Sequence, residues 1–492
     1  MATPAPTTLL DPLSWRGRVY DGGEWTTPRG GARAVIEPAT GGVLGRTGVA
    51  DAEDMRDAIG RAAAAQAAWA ATGPRERAAV LHRAAAVFQR HFDELALMVA
   101  RETGGILPKG QHEVKEAIVL CQLAAALPMQ SQGEVLPSVP GRLSIARRVP
   151  HGVVGVISPF NFPLILGLRS VAPALALGNA VVLKPDTRTP VSGGFVMARV
   201  FEEAGLPAGV LQVLPGDAEA GEALVRDLRV PMIAFTGSPG VGRRIGALAG
   251  EYLKKVSLEL GGANNLVILD DADPDAAASA AAFGAWFHQG QICMASNRVL
   301  VHEAIADAIR QRLVAKATHL PVGDGASGQV ALGPMIDAKQ LQRFDAVVQG
   351  SVKQGAKLEA GGTHEGLCYR PTVLSGVKPG MRAFDEEPFG PLASLVTFRT
   401  DDEAVELANT SQGGLAAAVI GRNVARALAL GQRLNAGMVH INDQTVNDEC
   451  TNPFGGPGIG GNGGSVGGPA DIHEYTRWQW LTVKDAPPAF PF

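Results

Sequence analysis

The strongest constraint on the fold is an alternation of short apolar segments with helical segments that begins at Val153. Apolar runs occur at 153–157, 180–183, 211–214 and 232–235, and again at 265–269 and 298–302. Helical spacing of apolar residues fills the intervals, including a predicted helix over 274–290. Strands that are apolar throughout and separated by helices predict parallel sheets covered on both faces. We therefore expect an α/β fold with two such sheets.

The segments outside this alternation have a different character. Residues 15–50 carry Gly and Pro turns between short apolar runs, which predicts an opening β-meander, and 51–128 read as helices that begin at the N-cap Asp51. An extended segment follows at 129–147, and the tail at 475–483 reads as one late strand. Since neither is stable alone, we expect pairing across subunits of a homo-oligomer.

Composition excludes several classes of protein. The 492 residues are 46% apolar and 19% charged, with a formal net charge of −4, so nucleic acid and an anionic membrane are not expected partners. The four cysteines have neither disulfide nor metal-ligand spacing, and no metal site is predicted. Neither a secretory signal nor an apolar stretch long enough to span a bilayer is apparent. We expect a cytoplasmic enzyme.

One cysteine stands out by its context. Cys293 follows a Gly-Gln pair between an Ala-rich helical run and the apolar segment at 299–301. A thiol becomes a useful nucleophile when a base or hydrogen-bond donors favour its ionised form. The alternative for any single cysteine is a small buried hydrophobic residue, and Cys121, Cys368 and Cys450 are assigned that role.

Two polar residues could serve such a thiol. Glu259 ends an apolar segment just before Gly261 and Gly262, where burial would raise its pKa and suit it to act as a general base. Asn161 lies between two phenylalanines at a predicted strand-to-helix junction, from which its amide can donate to an oxyanion. A paired or solvated glutamate and an ordinary turn asparagine are the alternatives for each residue alone.

Three further segments have the chemistry of a dinucleotide site. At 235–242 a strand gives way to small residues, including Gly237 and Ser238, and then to a helix whose free N–H groups can hold a pyrophosphate. Lys184 ends another predicted strand, within reach of an adenosine ribose. Glu387 and Phe389 place a carboxylate beside an aromatic ring, which suits a ribose hydroxyl and a flat ring. A surface lysine and an acidic turn are the alternatives.

Together and in this order, these segments resemble the NAD(P)-dependent aldehyde dehydrogenase superfamily from about residue 15 to 485. The matching motifs are PFNFP at 159–163, LKP at 183–185, FTGS at 235–238, LELGG at 258–262, GQIC at 290–293, EEPFGP at 386–391 and PFGG at 453–456. With this resemblance we expect a Rossmann-type cofactor domain over 14–128 and 148–259, a catalytic domain over 260–450, and a small β oligomerisation element from 129–147 and 470–485.

The resemblance also implies residue roles. Cys293 would attack the aldehyde carbonyl, Asn161 and the Cys293 backbone N–H would hold the oxyanion, and Glu259 would activate the water that hydrolyses the thioester. The cofactor residues implied are Lys184 at the adenosine ribose, Gly237 and Ser238 at the pyrophosphate, Glu387 at the nicotinamide ribose, Phe389 near the nicotinamide, and Ile157, Ser158, Gly216 and Leu260 along the cleft.

Three positions depart from the family pattern. Thr187 stands three residues after Lys184, where many NAD-preferring members have a glutamate whose charge would repel a 2′-phosphate. We therefore expect either NAD or NADP as cofactor. Met294 stands where threonine or glutamine is common, and Phe160 where tryptophan is common.

The substrate is indicated by the segment at 441–449, which looks like that of benzaldehyde and vanillin dehydrogenases, as do the Gly-rich run at 460–468 and the Arg477-Trp478 pair. The residues that would border the substrate tunnel are Phe162, Met294, Asp448 and Phe454. No pair of arginines addresses a substrate carboxylate, although Arg169 lies one or two helical turns beyond Asn161. We expect an uncharged aromatic aldehyde.

Three alternatives remain open. A semialdehyde of the succinate-semialdehyde type is the second substrate class. A CoA-acylating dehydrogenase would keep the cysteine but has no need of the water-activating Glu259. A non-catalytic binding or structural protein on the same fold would have no chemical need for the complete set of groups.

Overall fold

The structure, a computed structural model, describes residues 8–410 and 414–492. Its strands are β1 Val19–Asp21, β2 Glu24–Thr26, β3 Ala32–Ile36, β4 Val43–Gly48, β5 Gly133–Val135, β6 Leu143–Pro150, β7 Val153–Ile157, β8 Ala180–Lys184, β9 Leu211–Val213, β10 Met232–Gly237, β11 Lys255–Leu260, β12 Asn265–Ile268, β13 Arg298–His302, β14 Lys357–Ala360, β15 His364–Glu365, β16 Cys368–Tyr369, β17 Thr372–Ser375, β18 Leu392–Phe398, β19 Gly414–Ile420, β20 Ala436–Ile441 and β21 Thr476–Val483.

The α-helices alternate with these strands along most of the chain. They are α1 Pro12–Trp15, α2 Ala52–Ala71, α3 Pro74–Arg90, α4 Phe92–Thr103, α5 Leu107–Ala126, α6 Pro163–Ala176, α7 Val196–Glu203, α8 Ala218–Arg226, α9 Pro239–Glu251, α10 Pro274–Trp286, α11 Glu303–His319, α12 Ala338–Lys353, α13 Arg382–Asp385, α14 Asp401–Ala408, α15 Val424–Gly431 and α16 Ala470–Tyr475. In the described ranges no helix is both long and apolar enough to cross a bilayer.

The first sheet is buried on both faces. Its strand order is β11-β10-β7-β8-β9-β1-β2, with β7 to β11 parallel and β1 and β2 forming an antiparallel edge. Side chains of β8 alternate between two cores: Val181 and Leu183 pack with α6, whereas Ala180 and Val182 pack with α2 and α8. This double covering explains why the strands are apolar throughout and confirms the predicted Rossmann-type sheet.

The direction of winding reverses between β7 and β10. From β7 the chain moves outward to β8 and β9, and it then returns to place β10 on the other side of β7. In parallel α/β sheets, the crevice beyond the carboxyl ends of the strands at such a reversal is the usual place for a ligand. The segments that leave β7 at Ile157 and β10 at Gly237 therefore flank a binding crevice.

The second sheet has the order β14-β17-β18-β13-β12-β19-β20 and is parallel except for β14. It is also covered on both faces, because Val267 and Leu300 belong to one core and Leu266 and Val299 to another. The predicted second doubly covered parallel sheet is confirmed.

The third sheet joins distant parts of the chain. β21 runs antiparallel to β6 along its whole length, from Thr476 opposite Pro150 to Val483 opposite Leu143, and β5 pairs with the other edge of β6. The tail strand and the extended segment are therefore both confirmed as strands. However, they pair with each other within one chain, so pairing of β21 does not require a second subunit.

Candidate active site

The turn that carries Cys293 has an unusual backbone. Helix α10 ends at Trp286, so the helix predicted over 274–290 is wrong in its last four residues. His288, Gln289 and Gly290 instead have left-handed φ values of 47°, 54° and 64°. Two consecutive non-glycine residues in this region are costly and persist only where the surroundings hold them.

Specific contacts hold this turn. The Gln289 side-chain amide donates to the Gly104 carbonyl at 2.8 Å, and the Gln291 side-chain carbonyl accepts from the Ile336 N–H at 3.2 Å. A β-carbon on Gly290 would lie 2.1 Å from the carbonyl oxygen of Gly390, which excludes any larger residue without movement. The backbone on either side of the cysteine is thus fixed by residues from distant parts of the chain.

Asn264 is a structural element of the site that the sequence motifs do not reveal. Its amide donates to the carbonyls of Cys293 at 2.7 Å and Ala295 at 3.2 Å, and its oxygen accepts from the Ala416 N–H at 2.9 Å. It therefore fixes the cysteine turn to the second sheet. Asn264 stands two residues after Gly262, the last residue of the LELGG motif, and this closeness to the motif is the sequence signal that points to it.

Asn161 lies beside the cysteine turn, as predicted. It is 3% exposed, and its amide donates to the Gln291 carbonyl at 2.9 Å. The helix that follows, α6, is held at its start by Glu113, whose carboxylate accepts from the N–H groups of Leu164 and Ile165 at 3.0 and 3.2 Å. Since a carboxylate at a helix N-terminus is favourable, Glu113 fixes the segment from which the Asn161 amide reaches the cysteine turn.

Glu259 is the buried carboxyl of this region. It lies on β11, is 5% exposed, and neither of its oxygens has a hydrogen-bond partner among the described residues. Burial raises the pKa of the Glu259 carboxyl well above its ordinary value, and only the charge of Arg169 opposes the rise. A carboxyl of raised pKa with free oxygens suits proton abstraction near neutral pH.

The Cys293 thiol is only partly exposed. Burial raises its pKa, and the negative charges of Glu387, Asp448 and Glu259 raise it further. The thiol is consequently protonated at neutral pH in this environment, so attack on a substrate requires a base to remove its proton. Glu387, Asp448 and Glu259 are far apart in sequence, but the fold brings all three close enough to Cys293 for their charges to act on its thiol.

An apolar tunnel of about 280 Å³ leads to the thiol. The predicted substrate residues Phe162, Met294, Asp448 and Phe454 line it together with Cys293 and Asn161. The lining residues not predicted from the sequence are His112, Ile165, Leu166, Phe283, Phe287, Ile292, Val446 and Asn447. Glu259 lies in a smaller adjoining cavity that shares Leu166 and Phe454 with the tunnel.

The predicted cofactor residues lie along the carboxyl edge of the first sheet. Ile157 and Lys184 end β7 and β8 and are opposite each other in the strand register. Lys184 is half-buried, and its desolvation lowers the pKa of the ammonium. Gly221 leaves room for its side chain, since a β-carbon there would lie 3.3 Å from Lys184 Cε. Gly216 follows β9 and packs against the Ala50 backbone.

The end of β10 offers backbone donors. Gly237 ends the strand and Ser238 is the N-cap of α9, with Pro239 in the first turn. The Ser238 side chain makes no capping hydrogen bond within the described chain. Gly242 allows Leu260 of β11 to approach the helix closely. An uncapped helix N-terminus beside glycine backbone fits an anionic pyrophosphate.

Glu387 and Phe389 approach from the second sheet. Burial raises the pKa of the Glu387 carboxyl to about 7, and the carboxylate accepts from the Gly262 N–H at 3.3 Å. Phe389 has a left-handed φ of 51° and its ring packs edge-on against Phe160 at 5.8 Å. A half-buried lysine at one end, a half-buried carboxylate at the other and an uncapped helix between them fit a dinucleotide.

Comparison with known proteins agrees with this geometry. Residues 25–481 match the model of the aldehyde dehydrogenase family. A vanillin dehydrogenase from Amycolatopsis sp. is 54% identical over 99% of this chain and 100% of its own length, and the benzaldehyde dehydrogenase [NAD(+)] of Pseudomonas putida is 48% identical over 97% and 98%. The crystal structure of a salicylaldehyde dehydrogenase from Pseudomonas putida G7 with salicylaldehyde has a TM-score of 0.93, with 34% identity over 96% of this chain and 99% of that one. The chain belongs to the aldehyde dehydrogenase family.

Proposed function

We propose that this protein oxidises an uncharged aromatic aldehyde to its carboxylic acid with NAD(P)⁺. The observation that carries the proposal is the tunnel, whose phenylalanine-rich wall ends at Cys293 and Asn161. Similarity to vanillin and benzaldehyde dehydrogenases over almost the whole chain supports the same substrate class.

In the proposed reaction the Cys293 thiol releases its proton to solvent water, and its sulfur attacks the aldehyde carbon to form a hemithioacetal. The Asn161 amide and the Cys293 N–H stabilise the oxyanion. NAD(P)⁺, held in the cleft by Lys184, Ser238 and Glu387, would supply the hydride acceptor that the conversion of the Cys293 adduct into a thioester needs. Glu259 then takes a proton from the water that hydrolyses the thioester, which releases the acid and restores the thiol.

The cofactor would be held by groups already described. Lys184 would bind the adenosine ribose, the start of α9 at Ser238 the pyrophosphate, and Glu387 the nicotinamide ribose. Asp186 does not oppose a 2′-phosphate, because both its oxygens accept from the Arg188 guanidinium, at 2.9 and 2.8 Å. With threonine at 187, we propose that both NAD⁺ and NADP⁺ are accepted.

The alternatives are less well supported. A semialdehyde carboxylate would need a cation in the tunnel, but the described lining residues include neither lysine nor arginine, and Arg169 is paired with Asp448 at 2.7 Å. A CoA-acylating enzyme would leave Glu259 without a role.

The domains and the assembly are also proposals. Strands of the first sheet lie at 19–26 and 153–260, those of the second at 265–441, and those of the third at 133–150 and 476–483. These bounds extend past the predicted ones by at most three residues, which supports the division into 14–128 with 148–259, 260–450, and 129–147 with 470–485. The third sheet exposes Trp478 and Trp480 on one face, with 51% and 67% of their surface accessible. We propose that this face forms the contact of a homodimer or homotetramer. The cytoplasmic location stays a prediction.

The test is a kinetic panel of aromatic, aliphatic and carboxylated aldehydes with both cofactors, followed by NAD(P)H absorbance. We expect Cys293→Ala to lose at least about a thousandfold in turnover, as nucleophile removal does elsewhere. Glu259→Gln should keep the first burst of NAD(P)H and slow the steady state by about a hundredfold or more, the usual contribution of a general base.

Cys368→Ala is the matched control, because Cys368 is a partly buried thiol on β16, outside the site. Absence of NAD(P)H formation with every aldehyde, with Cys293 shown to be intact, would contradict the proposed function. An unchanged steady-state rate in Glu259→Gln would contradict the role of the base.

A further inference from the structure

Arg169 is a buried cation that the reaction described above does not use. It lies on α6 and is 3% exposed. One edge of its guanidinium is paired, since Nη2 donates to Asp448 Oδ2 at 2.7 Å. Its Cζ lies 4.7 Å from the centre of the Phe454 ring. Both of these partners also line the aldehyde tunnel.

The guanidinium and the base border the same small cavity. Arg169 Nε and Nη1 are buried and have no hydrogen-bond partner among the described residues, and the same is true of both Glu259 oxygens and of Ser257 Oγ. Arg169, Ser257 and Glu259 line one small cavity of about 10 Å³. A polar cavity of this size has room for about one water molecule.

This arrangement is costly unless the groups interact across the cavity. A buried charged group without a partner loses its hydration without compensation, and the cost is larger than for a neutral group. A guanidinium and a carboxylate, each with free hydrogen-bonding capacity, compensate each other directly or through one water molecule. Asp448 is paired with the guanidinium on the tunnel side, and Glu259 is the carboxyl that borders the cavity on its other side.

We propose that Arg169 is a positioning residue that holds the Glu259 carboxylate ionised and oriented for water activation, and that Asp448, paired with the other edge of the guanidinium, limits this effect. The inference rests on the proposed function, because it assigns a role to Arg169 only if Glu259 serves as the base. It also gives Asp448 a role beyond bordering the tunnel.

The charges around Glu259 agree with this role. Burial favours the neutral carboxyl, and the negative charges of Glu474 on α16 and of Asp448 act in the same direction. Glu474 is itself paired with Lys255 at 3.3 Å. Arg169 is the cation that favours the ionised form. Removing it should leave a carboxyl that is protonated over a wider range of pH.

The experiment compares Arg169→Met, which keeps length but removes the charge, with Arg169→Lys. The NAD(P)H burst and the steady-state rate are measured against pH with benzaldehyde and NAD⁺. For Arg169→Met we expect the NAD(P)H burst to persist. The acid limb, the part of the pH profile where the steady-state rate falls as the pH is lowered, should move up by about one pH unit. This is the lower end of the effect of one neighbouring opposite charge on a pKa. Thioester hydrolysis at neutral pH then falls about tenfold, because one pKa unit corresponds to a tenfold change in the ionised fraction. Arg169→Lys should restore most of the rate.

Asp448→Asn provides an arm that does not depend on the folding of the arginine variants. It removes a negative charge near Glu259 and releases the guanidinium toward the base, so the acid limb should move to lower pH. If Arg169 and Asp448 served only to stabilise the fold, the acid limb would not move to higher pH in Arg169→Met and to lower pH in Asp448→Asn.

The outcomes separate this inference from the proposed function. Failure of the unmodified protein to oxidise any aldehyde removes the proposed function itself. An active protein whose acid limb is unchanged in Arg169→Met, or moves in the same direction in Asp448→Asn, overturns only the inference. The inference is also overturned if Arg169→Met lowers the NAD(P)H burst and the steady-state rate equally and Arg169→Lys does not restore the steady-state rate.

Discussion

Glu387 is a half-buried carboxyl with a raised pKa. Burial raises its pKa to about 7, while the Gly262 N–H and the charge of Arg343 favour the ionised form. Because a carboxylate accepts two ribose hydroxyls and a neutral carboxyl accepts less well, binding of NAD⁺ should weaken as the pH falls below about 7. Glu387→Gln should bind NAD⁺ more weakly above pH 7 and show little dependence on pH.

The measurement is a calorimetric or fluorescence titration of NAD⁺ between pH 6 and pH 8.5. Glu386→Gln is the control, since the neighbouring carboxylate pairs with Arg382 at 2.6 Å and its pKa is lowered by that contact. A pH profile of Glu387→Gln that matches the parent protein would show that another group is responsible.

Residues of the site that stand in short sequence motifs could be predicted, whereas residues that act through distant partners could not. Cys293, Glu259 and Asn161 stand in short motifs whose neighbours are adjacent in the chain. Asn264 and Arg169 act on partners 152 and 279 positions away, Ala416 and Asp448. No local pattern encodes such contacts, because the fold alone brings the partners together.

Among the elements, the turn before Cys293 depends most on a single position. Gly290→Ala would place a β-carbon 2.1 Å from the Gly390 carbonyl oxygen, in addition to the strain of a left-handed φ. Gly141→Ala shares that strain, with a φ of 75°, but meets nothing within 4 Å. We expect Gly141→Ala to lower the free energy of unfolding by about 1 kcal/mol and to leave turnover unchanged.

Gly290→Ala should cost more than this control and should also slow the NAD(P)H burst, because the turn must move and carries Cys293 with it. Urea unfolding and stopped-flow absorbance measure the two effects. Equal effects of both substitutions on stability and burst rate would show that the contact with Gly390 does not fix the turn.

The same turn shows where periodicity fails. Residues 274–290 are rich in alanine and carry no proline after 274, so helical spacing continues across Trp286 without a breaker. The helix nevertheless ends there, because contacts of Gln289 and Gly290 with residues far away in sequence hold a left-handed backbone. Strands β7, β8, β10 and β12, by contrast, could be predicted, since burial on both faces requires an almost continuous apolar run.

For the whole molecule, the third sheet carries the prediction about assembly. Trp480 and Trp478 are exposed on β21, and the ring of Trp478 lies 4.0 Å from the Arg148 guanidinium. If this face is the subunit contact, Trp480→Glu places an unpaired charge in it and should yield a smaller species in sedimentation velocity. Leu228→Glu, at a position 77% exposed outside this sheet, should sediment like the parent protein.

A parent protein that sediments as a monomer would contradict the proposed assembly. A Trp480→Glu variant that keeps the size of an oligomeric parent would place the contact elsewhere on the surface.

The walls of the tunnel and the groups that do the chemistry have separate origins. Helices α5 and α6, the end of α10 and the segment around Val446 to Phe454 supply most of the wall, whereas the base and the cofactor cleft lie at strand ends. Wall residues such as Phe283 and Val446 can therefore be exchanged without moving the reacting groups. For biocatalysis, this separation makes the scaffold a candidate for retuning toward bulkier fragrance and lignin-type aldehydes by libraries confined to the wall.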